Sequence, residues 1–374
     1  MTLSPARTRA RVDIESILEG LGADVIHVPV IQPADAFLDT AGEQLRRRIF
    51  LTASEDGETL CLRPEFTIPV CLIHIARRAA TPARYGYAGT VFRQRRMGAN
   101  EFGQAGIEDL GDTDHARADA RSLADALAFM AQAAPDAELA VMLGDQAVFE
   151  AVMEALGLPQ AWRARLLHMF GDRTRLDAAL SELAAPRVAA NLPPQVEALL
   201  AVGDEAALAE LVETELAVAG LAAAGGRSAA EIAARLVARK RLADVRLDAG
   251  ARDALAGFLD LECPLSEAPA RLSTFAARHG IDIARALADF SARIEALAAL
   301  GVDAATIRYR AAFGRPLDYY SGLVFEVFAG GGELPVIGGG RYDRLLSMLG
   351  AANPVPGVGF SVWLDRLAGM EAQP

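Results

Sequence analysis

Four short stretches of the chain carry the polar side chains that could bind or transform a ligand. They are LRPEFT at 62–67, VFR at 91–93, FGQAGIE at 102–108 and RPLDYY at 315–320. They supply eight candidate site residues: Glu65, Thr67, Arg93, Gln104, Glu108, Arg315, Tyr319 and Tyr320. A carboxylate can bind an ammonium group, and an arginine can bind a carboxylate through two parallel hydrogen bonds. The set therefore suits a free amino acid as ligand, although each stretch alone is a weak signal.

Tyr319 and Tyr320 are neighbours in a chain that has only 6 tyrosines. In an extended segment, neighbouring side chains point to opposite faces, so one ring can pack while the other presents its hydroxyl to a cavity. Taken alone, this pattern is more typical of an ordinary half-buried strand that follows a turn. The other three stretches shift the interpretation towards a site.

The composition argues against several kinds of protein. A net charge of −12 disfavours a broad polyanion-binding surface. The only lysine, Lys240, lies among arginines, so neither a Gly-Lys phosphate loop nor a Schiff-base lysine is expected. The three cysteines show no C-x-x-C spacing, the five histidines are scattered, and no apolar run reaches the length of a membrane span. We expect a cytoplasmic protein with reduced thiols, without a metal ion or cofactor and outside the membrane.

The elements that must position the eight residues lie at the two ends of the chain. RYGYAGTVFRQ and FGQAGIEDLG are strand candidates joined by the loop RRMGAN, which predicts a hairpin. Ala/Leu/Arg-rich amphipathic stretches then predict a mainly helical insert at about 151–300, in which no chemical motif is found. Strand patterns return in TIRYRAAF, LVFEVFAGGG, PVIGGG and PGVGFSVW.

In this order the motifs resemble the core of a class II aminoacyl-tRNA synthetase, and within that class histidyl-tRNA synthetase. VFRQRRMGANEFGQAGIEDLG is similar to the second signature of the class, and PGVGFSVWLDRL to the third. LRPEFT, RPLDYYSGLVFE and GGGRYDRLL resemble elements of the histidine enzyme, and the eight candidate residues match its histidine contacts. The resemblance implies an α/β fold of the α+β type. In it, one synthetase-like domain spans 1–374 as a mostly antiparallel sheet flanked by helices, and the insert interrupts it.

Several departures from the synthetase concern ATP and tRNA. The chain continues only seven residues past Leu367, so we expect no anticodon-binding domain, which would need at least roughly 50 residues. Arg95 stands where the synthetase has a glutamate in its ATP site. Trp363 stands where a glycine lets adenine approach, and Phe66 replaces a glycine near the ligand. The amino acid pocket is thus retained while nucleotide and tRNA handling are lost.

This combination resembles the synthetase paralogues that serve as regulatory subunits of ATP phosphoribosyltransferase, the first enzyme of histidine biosynthesis. The resemblance implies a non-catalytic subunit that supports a short-form catalytic subunit and binds histidine for feedback inhibition. It places Glu65, Thr67 and Gln104 around the α-ammonium, Arg93 near the α-carboxylate, and Glu108 with Tyr320 on the imidazole. Tyr319 is assigned less firmly, Arg315 pairs with an acid or lines the mouth, and a Glu65→Ala variant is expected to keep its fold.

Two alternatives remain open from the sequence. One is a truncated histidyl-tRNA synthetase-like enzyme that still activates histidine with ATP, because Arg93 and Arg366 are retained and could bind phosphates. The other is a stand-alone amino acid-binding module with an unrelated partner. For assembly, VIHVPVIQP resembles the dimer-forming first signature, so we expect a homodimer core to which catalytic subunits add.

Overall fold

The structure is a computed structural model that describes residues 13–40, 42–96, 98–184, 192–219, 228–243, 247–315, 317 and 319–371. The chain forms two compact units. The first comprises residues 1–151, 170–172 and 258–374, and the second comprises residues 152–169 and 173–257.

The strands, numbered in chain order, are β1 (Asp24–Val25), β2 (Ile31–Pro33), β3 (Leu51–Ala53), β4 (Thr59–Leu62), β5 (Ala83–Phe92), β6 (Glu101–Leu110), β7 (Leu139–Asp145), β8 (Glu262–Pro264), β9 (Ile307–Arg310), β10 (Leu323–Ala329), β11 (Ile337–Arg341) and β12 (Gly357–Trp363). The helices are α1 (Ile14–Gly20), α2 (Asp35–Thr40), α3 (Gly42–Arg46), α4 (Thr67–Arg77), α5 (His115–Ala133), α6 (Gln146–Ala155), α7 (Gln160–Leu167), α8 (Arg173–Ala184), α9 (Pro194–Val202), α10 (Glu205–Val218), α11 (Ala229–Ala243), α12 (Ala249–Leu259), α13 (Ala268–His279), α14 (Ala284–Ala299), α15 (Leu345–Met348) and α16 (Leu364–Glu371).

The first unit is built on a nine-stranded sheet with the order β1-β5-β6-β12-β11-β10-β7-β9-β8. The pairs β1–β5 and β7–β9 are parallel and the other pairs are antiparallel. A separate three-stranded sheet has the order β2-β4-β3. The predicted fold class, a mostly antiparallel sheet with flanking helices, is confirmed. The predicted hairpin is β5–β6, which runs in register from Ala83 opposite Leu110 to Phe92 opposite Glu101.

Helix α5 shows how the sequence builds the layer against this sheet. The Asp114 carboxylate accepts a hydrogen bond from the backbone N–H of Arg117 at 3.1 Å and so caps the first turn. Leu123, Ala126 and Met130 recur at helical spacing and are buried. The helix contacts strands β11 and β12 and helix α14, so its buried side chains belong to the core between the sheet and α14.

A buried ion network joins four elements of the first unit. Asp119 on α5 accepts hydrogen bonds from Arg293 of α14 and from Arg341 of β11, both at 2.7 Å. Arg293 also pairs with Asp145 at the end of β7, and Arg341 with Asp343. Removing one partner of such a network leaves an uncompensated buried charge, which costs about 3–5 kcal/mol. The network therefore fixes α5 and α14 against the strands that surround the site.

The described residues of the second unit contain helices and no strand. Leu200, Leu208, Ala233 and Val237 form an apolar cluster among α9, α10 and α11. The insert predicted at about 151–300 overlaps this unit, whereas residues 258–300 belong to the first unit. There β8 completes the sheet by pairing with β9, with Cys263 opposite Tyr309.

A stack of aromatic rings lies where the chain leaves the first unit and where it returns to it. The rings of Phe149 and Phe258 stack with centroids 5.9 Å apart, and Phe170 stacks on Phe149 at 5.0 Å. All three residues belong to the first unit. The point of departure at Ala151 and the point of return at Phe258 are thus close together.

The three cysteines are buried free thiols. Within the described residues, no helix is both long enough and apolar enough to cross a membrane. The histidine, cysteine and acidic side chains in that same part of the chain form no group of three or more that could hold a metal ion.

Candidate ligand-binding site

All eight predicted site residues line one cavity in the first unit. The cavity has a volume of about 190 Å³, well above the roughly 10–15 Å³ that a single water molecule needs. Its size is therefore that of a small ligand such as an amino acid. Other lining residues that the sequence did not single out include Arg48, Glu326, Tyr342 and Ser361.

The sheet register sets the two ends of the cavity floor. Gln104 and Glu108 are four residues apart on β6, so their side chains leave the same face. On the adjacent strand β12, Trp363 lies opposite Gln104 and Gly359 lies opposite Glu108. One end of the floor therefore carries Glu108, and the other carries Gln104 and Trp363.

Glycines on the central strands make room for the site side chains. A Cβ atom at Gly359 would lie 1.9 Å from Oε2 of Glu108, and one at Gly338 would lie 2.5 Å from Nη2 of Arg315. A Cβ atom at Gly340 would lie 2.8 Å from the ring of Tyr320. Contacts this short do not occur in folded proteins, so any larger residue at these positions would displace the functional side chains. The strand sequence IGGGR is therefore a requirement of the site.

Glu65 binds the start of helix α4. Its carboxylate accepts hydrogen bonds from the backbone N–H groups of Thr67 at 2.8 Å and Ile68 at 2.9 Å. Burial raises the pKa of Glu65, while these N–H groups and the nearby Arg93 lower it. That a Glu65→Ala variant keeps its fold stays a prediction, to which the structure adds a small loss of stability. Removal of the carboxylate also leaves two helix-terminal donors without their acceptor, which costs about 1 kcal/mol.

Glu108 lines the cavity and accepts three hydroxyl hydrogen bonds. The donors are Thr67 at 2.7 Å, Tyr87 at 3.2 Å, and Tyr342. Burial raises the pKa of Glu108 to about 8, and the neighbouring Glu65 adds to this effect, although the hydroxyl donors oppose it. Tyr342 was missed as a site residue, although it stands in the quoted run GGGRYDRLL. The glycines before it were the available signal.

Gln104 presents an acceptor that the protein leaves unused. The side chain is 2% exposed, and its Oε1 atom has no hydrogen-bond partner among the described residues. A buried acceptor without a donor costs about 1–3 kcal/mol. A ligand N–H group in the cavity would remove this cost.

Two arginines bring positive charge to the cavity, and both are held by the protein. Arg93 donates through Nε to the carbonyl of Pro64 at 2.6 Å, and burial lowers its pKa to about 10. Arg315 donates through Nε to Glu326 at 3.3 Å and through Nη1 to the hydroxyl of Tyr320. Of the two alternatives given for Arg315, pairing with an acid or lining the mouth of the pocket, the structure shows the pairing with Glu326. Both guanidinium groups still face the cavity that they line.

The tyrosine pair does not split between core and cavity. Tyr319 and Tyr320 are both buried, both line the cavity, and their ring centroids are 5.1 Å apart. The reason is that β10 begins only at Leu323, so the alternation of a strand does not apply to the pair. Burial raises the pKa of Tyr320 to about 12, so its hydroxyl is protonated at neutral pH and can donate to a ligand.

The residues that depart from the synthetase pattern have definite positions. Two guanidinium groups lie close to the Trp363 ring, with the central carbon of Arg366 at 4.3 Å and that of Arg315 at 5.5 Å from the ring centroid. The guanidinium carbon of Arg95 lies 3.4 Å from the ring centroid of Phe102, and its Nη1 atom lies 3.5 Å from Oδ2 of Asp365. The third departure, the phenylalanine at position 66, stacks on Tyr87 with ring centroids 4.5 Å apart. Trp363 is thus the departure that shapes the cavity wall.

Comparisons with known proteins agree with the fold of this chain. The family model described as histidyl-tRNA synthetase matches residues 4–250 and 224–367. Solved structures of similar fold include an ATP phosphoribosyltransferase regulatory subunit/histidyl-tRNA synthetase from Bacillus halodurans, with a TM-score of 0.65 and 20% identity, covering 95% of this chain and 76% of that one. Another is a histidine–tRNA ligase subunit from Alicyclobacillus acidocaldarius, with a TM-score of 0.59 and 22% identity, covering 100% and 98%.

Two curated relatives have much higher identity. Both are named ATP phosphoribosyltransferase regulatory subunit. The protein from Allorhizobium ampelinum is 58% identical over 346 residues, which cover 92% of this chain and 93% of the relative. The protein from Mesorhizobium japonicum is 55% identical over 363 residues, which cover 97% of each. The chain therefore belongs to the family of ATP phosphoribosyltransferase regulatory subunits, which has the fold of the histidyl-tRNA synthetase core.

Proposed function

We propose that the cavity binds free histidine and that the chain is the histidine-sensing, non-catalytic subunit of ATP phosphoribosyltransferase. In this role it supports a short-form catalytic subunit at the first step of histidine biosynthesis and transmits feedback inhibition. The observation that carries the proposal is the set of buried acceptors, Glu65, Glu108 and Gln104, around a cavity of amino acid size.

Each polar group of histidine has a chemically matched group in the cavity. Gln104, Glu65 and Thr67 can accept from the α-ammonium, and Arg93 can bind the α-carboxylate. Glu108 accepts from one imidazole nitrogen, while the protonated Tyr320 hydroxyl donates to the other, so the site selects one neutral tautomer. A ligand of this charge pattern supports the family's regulatory role, because histidine is the end product of the pathway.

Isothermal titration of the purified chain with histidine tests the binding proposal, with ATP as the second ligand. We expect one histidine per chain and no saturable ATP binding. Histidine binding that is absent, or no tighter than the binding of leucine, contradicts the proposal. Robust ATP–pyrophosphate exchange with histidine by the isolated chain contradicts the non-catalytic role.

For assembly, we propose a two-fold homodimer through the segment around β2. Val30 and Ile31 are 40% and 57% exposed, and Leu51 on β3 of the same small sheet is 56% exposed. Exposed apolar side chains that are grouped on one small sheet, rather than scattered singly, are typical of an interface. An Ile31→Glu variant should sediment as a monomer, whereas the matched Leu300→Glu variant, at an exposed residue in the turn after α14, should remain a dimer.

Feedback inhibition requires histidine to favour a less active state of the complex with the catalytic subunit. The size of the effect equals the difference in histidine binding free energy between the two states. Substrates that favour the active state must then weaken histidine binding to the complex by the same factor. Equal histidine affinity with and without saturating substrates would refute the coupling while leaving the binding site intact.

A further inference from the structure

One end of the cavity is closed by an aromatic wall. Trp363 is 6% exposed and lies opposite Gln104 in the β6–β12 register, at the end of the floor away from Glu108. Its backbone N–H donates to the carbonyl of Val336 at 2.9 Å, which fixes the strand end that carries it. The indole therefore faces the region where Gln104 offers its unused acceptor.

The indole is held on its faces by charged groups that are themselves fixed. Arg366 lies 4.3 Å from the ring centroid and donates to the carbonyl of Pro335. Arg315 lies 5.5 Å from the centroid and is bound by Glu326 and Tyr320. Cation–π contacts of buried arginines favour this arrangement. Rotation of the indole out of the cavity would break contacts with both arginines, so the wall is rigid.

The direction in which a bound histidine points follows from the two ends of the floor. With the imidazole at Glu108 and the ammonium at Gln104, the α-carboxylate lies towards the arginines and the indole. Arg93 and Arg315 are close enough to influence each other's charge, and Arg315 contacts Trp363. The wall therefore stands directly beyond the α-carboxylate.

We infer that Trp363 is a specificity-determining residue that restricts the site to amino acids with a free, unextended α-carboxylate. This inference rests on the proposed binding of histidine. Arg93 and Arg315 bind the negatively charged carboxylate, whereas Trp363 sterically excludes any group attached to it. Esters, amides with large substituents and peptides that begin with histidine are rejected by size as well as by loss of charge.

A series of ligands with the same charge separates the effect of the size of the attached group from the effect of losing the carboxylate charge. Histidinamide, histidine methyl ester and histidine benzyl ester all lack the carboxylate charge and differ in the size of the attached group. Their affinities are measured by calorimetry for the wild type, Trp363→Ala, Trp363→Leu and the conservative Trp363→Phe, with free histidine as reference. Circular dichroism and thermal unfolding confirm that each variant is folded.

In the wild type and in Trp363→Phe, affinity should fall by about tenfold or more from the amide to the benzyl ester. In Trp363→Ala the three compounds should bind within about threefold of one another, and Trp363→Leu should give an intermediate decline. The ratio of the affinity for histidine to the affinity for histidinamide should stay the same in all variants, because this ratio depends on how the arginines bind the carboxylate charge.

A decline in Trp363→Ala as steep as in the wild type overturns the inference, as does a wild type that binds the benzyl ester as well as the amide. Folded Trp363→Ala and Trp363→Leu proteins that lose free histidine together with its derivatives also overturn it, because the indole then serves packing alone. Failure of the wild type to bind free histidine is a separate result that contradicts the proposed function.

Discussion

Replacing Glu108 with glutamine should abolish a proton release that accompanies histidine binding. In the empty site, burial holds the pKa of Glu108 at about 8, so the carboxyl group is mostly protonated at pH 7. A bound histidine brings an imidazole N–H donor to Glu108, which stabilises the ionised carboxylate. Binding must therefore expel the proton from Glu108.

The size of the release follows from the pKa. A group with a pKa of about 8 is about nine-tenths protonated at pH 7, so binding should release about 0.9 proton per histidine. The release should fall to about half a proton at pH 8 and approach zero above that pH. Histidine affinity should accordingly rise with pH between about 7 and 8 and then level off. The Glu108→Gln variant should release about zero protons at every pH.

Calorimetric titration in phosphate and Tris buffers, which differ in ionisation enthalpy, counts the protons directly. A matched control is Glu262→Gln, since Glu262 is a surface acid on β8 that pairs with Arg308 and Arg310. This control should release as many protons as the wild type. A wild-type release below about 0.2 proton at pH 7, or an equal release in Glu108→Gln, refutes the assignment of a protonated Glu108 to the empty site.

Three further predictions concern the fold and the site together. The pKa of Glu108 is raised from 4.5 to about 8 in the folded state. The free energy of unfolding of the wild type, measured with urea, should therefore fall relative to that of Glu108→Gln as pH rises from about 4.5 to about 8, by at most about 5 kcal/mol. Parallel curves of unfolding free energy against pH for the two proteins would contradict this. Gln104→Met should weaken histidine binding about tenfold yet raise the unfolding temperature, because it removes a buried acceptor without a partner; a lowered unfolding temperature would contradict it. Asp119→Asn should destabilise the first unit by about 3–5 kcal/mol, whereas Glu267→Gln, which breaks the exposed pair with Arg271, should change stability by less than about 1 kcal/mol; equal effects would contradict the role of the network.

Much of the site could be predicted from the sequence because its residues lie in short local motifs. The resemblance of these motifs to histidyl-tRNA synthetase, rather than strand or helix periodicity, singled out Glu65, Gln104 and Glu108, and all three line the cavity. The mainly antiparallel sheet followed from the same resemblance.

The rest depends on contacts between distant parts of the chain. The role of Glu65 at the start of α4 and the position of Tyr342 against Glu108 follow from three-dimensional placement that local periodicity does not encode. The placement of Trp363 opposite Gln104 is a matter of strand register between β6 and β12. The end of the insert stays a prediction; within its predicted range of about 151–300, the three residues of β8 are too few to give a clear strand pattern.

The stacked rings of Phe149 and Phe258 affect how much the length of the intervening segment can vary in evolution. They hold the points where the chain leaves and rejoins the first unit close together, at a centroid distance of 5.9 Å. The entropy of closing a loop grows only with the logarithm of its length, so each doubling of the intervening segment costs about 0.6 kcal/mol. The strands that carry the cavity pair only with strands of their own unit. Changes in chain length within residues 173–257, beyond the 170–172 stretch that belongs to the first unit, should thus cost the cavity little.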